Sequence, residues 1–260
     1  MGACGGKGPG PNTVTDAEAM TCMPKSMATV EARPSSRFLA DRTQEDRSLF
    51  VAKTYAVATL QAALTTLIAL PIATWSSQAW WNEHMVLYYI IVAGFVISYI
   101  AAPVFFMPWI ELAPSDAIYM ALLSVAAGIV SGLTSAVYGL FWVALTPLCV
   151  AGSYFGLCAF VLAAQSDLET PLAYIFTVFQ SILGFGVFLA IYENPVTAAL
   201  QVLLPQLFGF FSVYDIKSMV QELHPGCQFT IDDAVFGAAS LNLDVVSRPL
   251  GIVVGGDPDS

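Results

Sequence analysis

The chain has little charge, and a long central stretch has no basic residue. Charged residues occupy 11% of the 260 positions, against roughly a quarter in soluble domains. No Lys or Arg occurs between Lys53 and Lys217. The net charge of −10 is also wrong for a nucleic-acid partner, because phosphate binding requires clustered Lys and Arg. These shortages exclude an ordinary soluble domain and a nucleic-acid-binding protein.

Cysteine and histidine are too few and too scattered to form a framework. The five cysteines contain no CxxC pair, and His84 and His224 stand at the edges of apolar segments. Neither a disulfide framework nor a zinc site follows from such spacing. A Ser–His hydrolase within a membrane would need a histidine inside a span. The sequence therefore predicts no cofactor.

Long apolar segments are what the chain has in abundance. Hydrophobic residues make up 57% of the sequence, and the mean hydropathy is +0.71. Each segment has about 20 residues or slightly more, enough to cross a hydrocarbon core of roughly 30 Å as a helix. The runs are continuous, whereas barrel strands alternate. We expect seven helices, near 50–72, 84–107, 116–138, 141–164, 172–192, 196–220 and 231–254.

The sequence divides into three regions around these segments. Residues 1–46 are Gly/Pro-rich and polar, which predicts a disordered N-terminal region. Residues 47–254 form the all-α, polytopic membrane domain, and 255–260 form a short acidic tail. Seven of the nine basic residues lie at or before Lys53. The positive-inside rule therefore places the N-terminus in the cytosol.

Two carboxylates, Asp215 and Asp244, lie well inside predicted spans. Asp215 stands about two turns before the end of the sixth segment, and Asp244 nearly 20 Å into the seventh. An ionisable group at such depth marks a functional site by default. Two carboxylates in one site repel each other when both are ionised, so the pair would share a proton. Without that proton they would attract a hard cation such as Ca²⁺.

A plainer interpretation of the same residues stays open. Asp244 and Arg248 are four residues apart and could pair along one helix. Lys217 could extend its ammonium group to the membrane surface while Asp215 flanks the interface. In that case the two aspartates would have no common function.

Three blocks of sequence carry a family resemblance. FVAKTYAVATLQAALT (50–65) resembles a first-span pattern of Phe, Lys-x-Tyr, Gln and Thr, and FSVYDIK (211–217) resembles a sixth-span Tyr-Asp-Thr-Gln motif. DDAVFGAASLNLDVV (232–246) resembles a Glu-Glu-Tyr start followed by Leu-Asp-Ile-Ile. By these blocks the chain is similar to the transmembrane Bax inhibitor motif family, closest to its lifeguard-type branch.

The resemblance implies a fold and a function. It implies a seven-helix bundle with six helices around a central seventh, in the membrane of the endoplasmic reticulum or Golgi. It implies a pH-sensitive Ca²⁺ leak, a role in Ca²⁺ homeostasis and protection from cell death, with cell-death regulators as partners. Asp215 and Asp244 match the positions that hold the gating proton and would be tentative Ca²⁺ ligands.

The chain departs from the family pattern at its cations. Lys217 stands where the family has Gln, and Arg248 stands in what is usually an apolar continuation. The second segment has no basic residue of the kind that closes the pore in some relatives. Lys217 and Arg248 are therefore the candidate latch cations.

Three functions compete at this point. The first is a proton-gated Ca²⁺ leak channel, and the second is a non-conducting membrane scaffold that regulates cell death through partners. The third is an intramembrane aspartyl protease, since Tyr214-Asp215 matches half of that signature. The other half requires Gly-x-Gly-Asp, whereas Leu-Asn-Leu precedes Asp244. We therefore expect a channel and not an enzyme, with the lipid bilayer, Ca²⁺ and protons as its partners.

Overall fold

The described part of the chain is all-α. The computed structural model describes residues 39, 42–110, 115–165, 171–191, 194–221 and 229–242, without the side chains of 102–110 and 204. These residues lie in one compact unit, Ser35–Ser260. The described residues form eight helices: α1 (Gln44–Trp75), α2 (Gln78–Glu83), α3 (Met85–Ile110), α4 (Ser115–Tyr138), α5 (Phe141–Ala164), α6 (Leu172–Ile191), α7 (Pro195–Val220) and α8 (234–242).

Five of the described helices are long and apolar enough to cross a membrane. They are α1, α4, α5, α6 and α7, and α3 adds a shorter apolar stretch, Met85–Ala101. Each of the first six predicted segments coincides with one of these helices. The seventh, 231–254, is described only as far as residue 242. The expectation of a polytopic all-α membrane protein is confirmed to this extent.

Capping residues explain where α1 and α7 begin. The Thr43 hydroxyl accepts a hydrogen bond from the backbone N–H of Asp46 at the start of α1. The Asn194 side chain accepts one from Val196 N–H at 2.9 Å, and Pro195 occupies the first position of α7. A proline costs nothing there, because its missing N–H would have had no partner within the helix.

One end of the helical unit carries all four basic residues of the described chain, namely Arg42, Arg47, Lys53 and Lys217. At about 48 Å, α1 is longer than the hydrocarbon core, and its charged first turns account for the excess. Gln44 Nε2 donates to the Gln165 carbonyl at the end of α5, which places these two ends together. We call this the basic end. The other ends of the five candidate spans, α1 and α4 to α7, lie opposite it.

The Gly128–Gly132 pair lies at the contact between α4 and α1. A β-carbon added at Gly132 would lie 2.7 Å from the Ala69 carbonyl oxygen, and one at Gly128 would lie 2.8 Å from that of Thr65. Only glycine permits this approach of two helix backbones. These two glycines, four residues apart, therefore serve the packing of α4 against α1 within the chain.

The last described helix, α8, is buried on nearly every side. Ala238, Ala239 and Leu241 are almost fully buried. Gly237 lies against Phe50 and Thr54 of α1. A helix that is buried around its circumference lies inside a bundle, not on its surface.

Most of the predicted disordered region, 1–46, lies outside the described residues. Of its described members, Leu39 is fully buried, and its N–H donates to the Phe229 carbonyl at 3.0 Å. Helix α1 begins at Gln44, inside the predicted region. The acidic tail, 255–260, also lies outside the described residues.

Candidate functional site

Asp215 faces the interior of the helical unit from the last turns of α7. It is 1% exposed, and Ser212 and Met219, three and four residues away, are buried on the same face of the helix. The adjacent Tyr214 is half exposed. The helix therefore turns a face that contains one carboxyl group toward its neighbours.

Tyrosines from three other helices lie in the neighbourhood of that carboxyl group. Tyr55 of α1 and Tyr154 of α5 are buried, with ring centroids 5.9 Å apart. Tyr174 of α6 is half-buried. All three lie within electrostatic range of Asp215. We call Asp215 and these three residues the tyrosine cluster.

The hydroxyl of Tyr55 is the most constrained group of the cluster. Its side chain is fully buried, with Ser212 close to the hydroxyl. Within the described chain, this hydroxyl forms no hydrogen bond of acceptable geometry. Phenol groups can both donate and accept. Such surroundings can serve a carboxylate, by donating to it, and a protonated carboxyl group, by accepting from it.

Asp244 and Arg248 lie outside the described residues. The shared-proton pair and the alternative Asp244–Arg248 pair therefore both stay predictions. The described chain ends at Asn242, whose Nδ2 donates to Gln61 Oε1 of α1 at 2.7 Å and to the Ala238 carbonyl at 2.8 Å. Tyr99 of α3 donates to the Asn242 carbonyl. Three helices thus meet two residues before Asp244.

Lys217 is half-buried in the last turn of α7. It follows Asp215 by two residues, and side chains at that spacing do not face each other on a helix. Its charge is favourable near the C-terminal carbonyl groups of α7. Its predicted role as a latch cation stays a prediction.

The tyrosine cluster has one carboxyl group, which bears on cation binding. No group of three or more His, Cys, Asp or Glu side chains that could hold a metal ion occurs in the described ranges. A resident Ca²⁺ normally takes six to eight oxygen ligands. A Ca²⁺ site would therefore need oxygen ligands beyond this one carboxyl group.

Sequence reasoning assigned no role to several residues of this region. Tyr55, Gln61 and Asn242 belong to the resemblance blocks without a role of their own, and Tyr154 and Tyr174 lie outside those blocks. Polar side chains within apolar spans are a signal that could have drawn attention to Gln61 and Asn242. Tyrosine gives no such signal, because it is common near membrane interfaces whatever its role.

Comparison with protein-family models, curated proteins and solved structures found no match to this chain. The resemblance described above therefore rests on its sequence blocks alone.

Proposed function

We propose that this protein is a proton-sensitive Ca²⁺ leak channel of an intracellular membrane. Asp215 is the proton-sensing group on the ion path, and Asp244 is its partner. The endoplasmic reticulum or Golgi is the proposed compartment, with a role in Ca²⁺ homeostasis and protection from cell death. The compartment and the cellular role rest on the family resemblance.

The burial of Asp215 carries the proposal. A carboxyl group that is 1% exposed inside a membrane domain is costly to ionise. A purely structural residue at this position would be apolar. Tyrosines of three other helices lie within electrostatic range of it, so a change in its charge would alter the interactions of several helices. That property is what a proton-sensitive gate requires.

The position of the cluster suits a gate at one mouth of a path. Asp215 lies five residues, or about 7 Å, from the end of α7. That end belongs to the basic end, which the positive-inside rule assigns to the cytosol. An acidic residue near this mouth would attract a cation arriving through the bundle.

We also propose that α8 is the beginning of a central seventh helix. Its burial on nearly every side supports this arrangement. If the helix continues beyond residue 242, Asp244 follows within one turn. The full proposal is then a bundle of seven helices in which the sixth and seventh spans each contribute one aspartate.

Ca²⁺ flux through purified protein in liposomes between pH 5 and 8 tests the proposal. We expect flux in the wild type with a clear pH dependence. Asp215→Asn and Asp244→Asn should each abolish most of that dependence, and the double variant should add little, because residues that act as one unit are not additive. Asn cannot ionise but is close to Asp in size, so packing is preserved.

Asp232→Asn is the matched control, because Asp232 is an exposed acid two residues before α8. This variant should retain the wild-type pH response. Absence of flux in the wild type would favour the scaffold. Independent, additive midpoint shifts at Asp215 and Asp244 would refute the shared proton. Cleavage of a general peptide substrate by the purified protein would instead support the protease.

A further inference from the structure

A polar contact joins α1, α3 and α8 well inside the helical unit. The Asn242 amide of α8 donates to Gln61 Oε1 of α1 at 2.7 Å, and the Tyr99 hydroxyl of α3 donates to the Asn242 carbonyl. Gln61 is the 18th of the 32 residues of α1, and Tyr99 is the 15th of the 26 residues of α3. The contact therefore lies away from the water at the helix ends. We call these three residues the polar clamp.

Asn242 uses its side-chain amide both within α8 and across to α1. Besides its bond to Gln61, Nδ2 donates to the Ala238 carbonyl one turn earlier at 2.8 Å. An amide nitrogen has two hydrogens, so the two acceptors match its donors. The bond within α8 holds the side chain in the direction from which it reaches α1. Hydrocarbon offers no replacement partner, so loss of the contact is unfavourable for both amides.

The other residues of this part of α8 do little to fix its rotation. Residues 237–240 are Gly-Ala-Ala-Ser, and Ala238, Ala239 and Ser240 are almost fully buried. Small residues allow a close approach of helices in membranes. Their ridges are shallow, however, and it is the fit of ridges into grooves that sets the rotation of one helix against another. The polar clamp supplies the directional contact that these small residues lack.

Two contact points on α1 define how α8 lies. Gly237 lies against Phe50 and Thr54, and Asn242, farther along α8, reaches Gln61, farther along α1. The two helices therefore run in the same direction. A shift of α8 by one residue would rotate Asn242 by about 100° and separate the two amides. A single buried amide sets the register of coiled coils for the same reason.

We propose that the polar clamp fixes the rotation and depth of α8 and thereby positions Asp244, which follows Asn242 by two residues. Gln61, Tyr99 and Asn242 are positioning residues, because they act through Asp244 and not on the ion. The role toward Asp244 rests on the proposed function, whereas the clamp itself can be tested without ion flux. Two carboxyl groups influence each other strongly only within about 4–6 Å, so a small displacement of α8 is enough to weaken a shared proton.

Backbone hydrogen exchange of α8 in lipid nanodiscs tests the clamp by itself. Gln61→Leu and Asn242→Leu should each speed this exchange roughly tenfold, because the helix loses its directional contact with α1. The double variant should add little to the faster single variant, since either substitution already removes the shared bond. Unchanged exchange in Gln61→Leu, or additive effects in the double variant, would refute the clamp.

Two further variants keep this test decisive. Thr66→Val is the matched control, because Thr66 is buried in α1 and its hydroxyl donates to the Ala62 carbonyl of its own helix. It should leave exchange in α8 unchanged. Tyr99→Phe serves if the leucine variants do not fold, because it removes one hydroxyl and keeps the ring beside Phe95. It should speed exchange in α8 roughly threefold, and no change would count against the clamp.

The pH profile of Ca²⁺ flux in liposomes separates positioning from stability. Gln61→Leu should move the flux midpoint to lower pH, because a carboxyl group without a nearby carboxylate ionises more readily. The reciprocal variant Gln61→Asn/Asn242→Gln keeps one amide on each helix and should restore the wild-type midpoint. Thr66→Val should retain that midpoint. Faster exchange of α8 in Gln61→Leu with an unchanged midpoint would overturn the positioning role.

Failure of the channel and failure of the clamp give different results. A wild type that carries no Ca²⁺ would refute the proposed function. Exchange of α8 that is slower in this wild type than in Gln61→Leu would still support the polar clamp. Conversely, flux with a clear pH dependence and equal exchange of α8 in the two proteins would support the channel and refute the clamp.

Discussion

The tyrosine cluster and a space between α5, α6 and α7 differ in how tightly protein atoms fill them. In the tyrosine cluster, Tyr55 and Tyr154 are buried and lie within electrostatic range of Asp215. The second region, which we call the glutamine cavity, is a space of about 360 Å³ whose lining includes Gln180, Gln201 and Gln206. The first region is closely packed, whereas the second contains open space.

This difference bears on the proposed gate. A proton-sensitive gate needs rigid neighbours, because a change of charge moves helices only if the contacts around it are tight. Three helices, α5, α6 and α7, take part in both regions, so close packing and open space occur along the same helices.

The largest expected difference between the two regions is in the free energy of unfolding that is lost when a side chain is removed. Tyr154→Ala should lower the free energy of unfolding by about 3–5 kcal/mol, because the packed cluster leaves a cavity behind. Gln201→Ala should cost no more than about 1.5 kcal/mol, because it removes one weak bond and enlarges a space that already exists. Denaturant titrations in detergent micelles measure both. Equal losses would mean that the two regions are packed alike.

Two glycine substitutions compare the stability of a packed helix contact with that of the cavity wall. Gly132→Ala should destabilise by about 1–3 kcal/mol, since the new methyl group would lie 2.7 Å from a backbone oxygen of α1. Gly152→Ala should be neutral or stabilise by up to about 1 kcal/mol, because the methyl group enters open space and alanine favours the helix. Melting temperatures of the two variants provide the measurement. Destabilisation by Gly152→Ala would show that the cavity is closed in solution.

The smallest expected effect concerns Lys217 near the tyrosine cluster. Lys217→Gln removes a positive charge two residues from Asp215, which makes the protonated carboxyl group more favourable. The pH midpoint of Ca²⁺ flux should then move upward by less than about one unit, as expected for a partly exposed charge. Lys53→Gln, in α1, serves as a control for net charge. Equal shifts in the two variants would indicate a general surface effect and would argue against a latch.

Sequence reasoning located the spanning helices well. Continuous apolar runs are a local property, so α1 and α3 to α7 fall where the hydropathy predicts them. The interior position of Asp215 was also predictable, because a lone carboxylate in an apolar run must be enclosed by protein. The spacing of Gly128 and Gly132 is typical of close helix packing, but it does not identify the partner helix.

The members of the two polar regions could not be predicted in this way. About a hundred residues separate Tyr55 from Tyr154, and about sixty separate Tyr154 from Asp215. Only helix packing brings these residues together. The sequence gives no signal for Gln180, Gln201 and Gln206, because each is a single neutral residue in an apolar segment. A polar residue at mid-span is a weaker signal than a charge, since one hydrogen bond within the helix can satisfy it.

The sequence by itself determined that the chain forms apolar helices, that its basic residues gather at one end, and that Asp215 is buried. These features depend on composition and on the order of residues along one helix, through the cost of exposing charges and backbone groups to hydrocarbon. Only the tertiary structure decided that tyrosines of three helices lie near Asp215, that Gly132 touches α1, and that three glutamines line one cavity. Such contacts depend on the rotation of each helix about its axis, which is set by the packing of its neighbours and not by hydropathy.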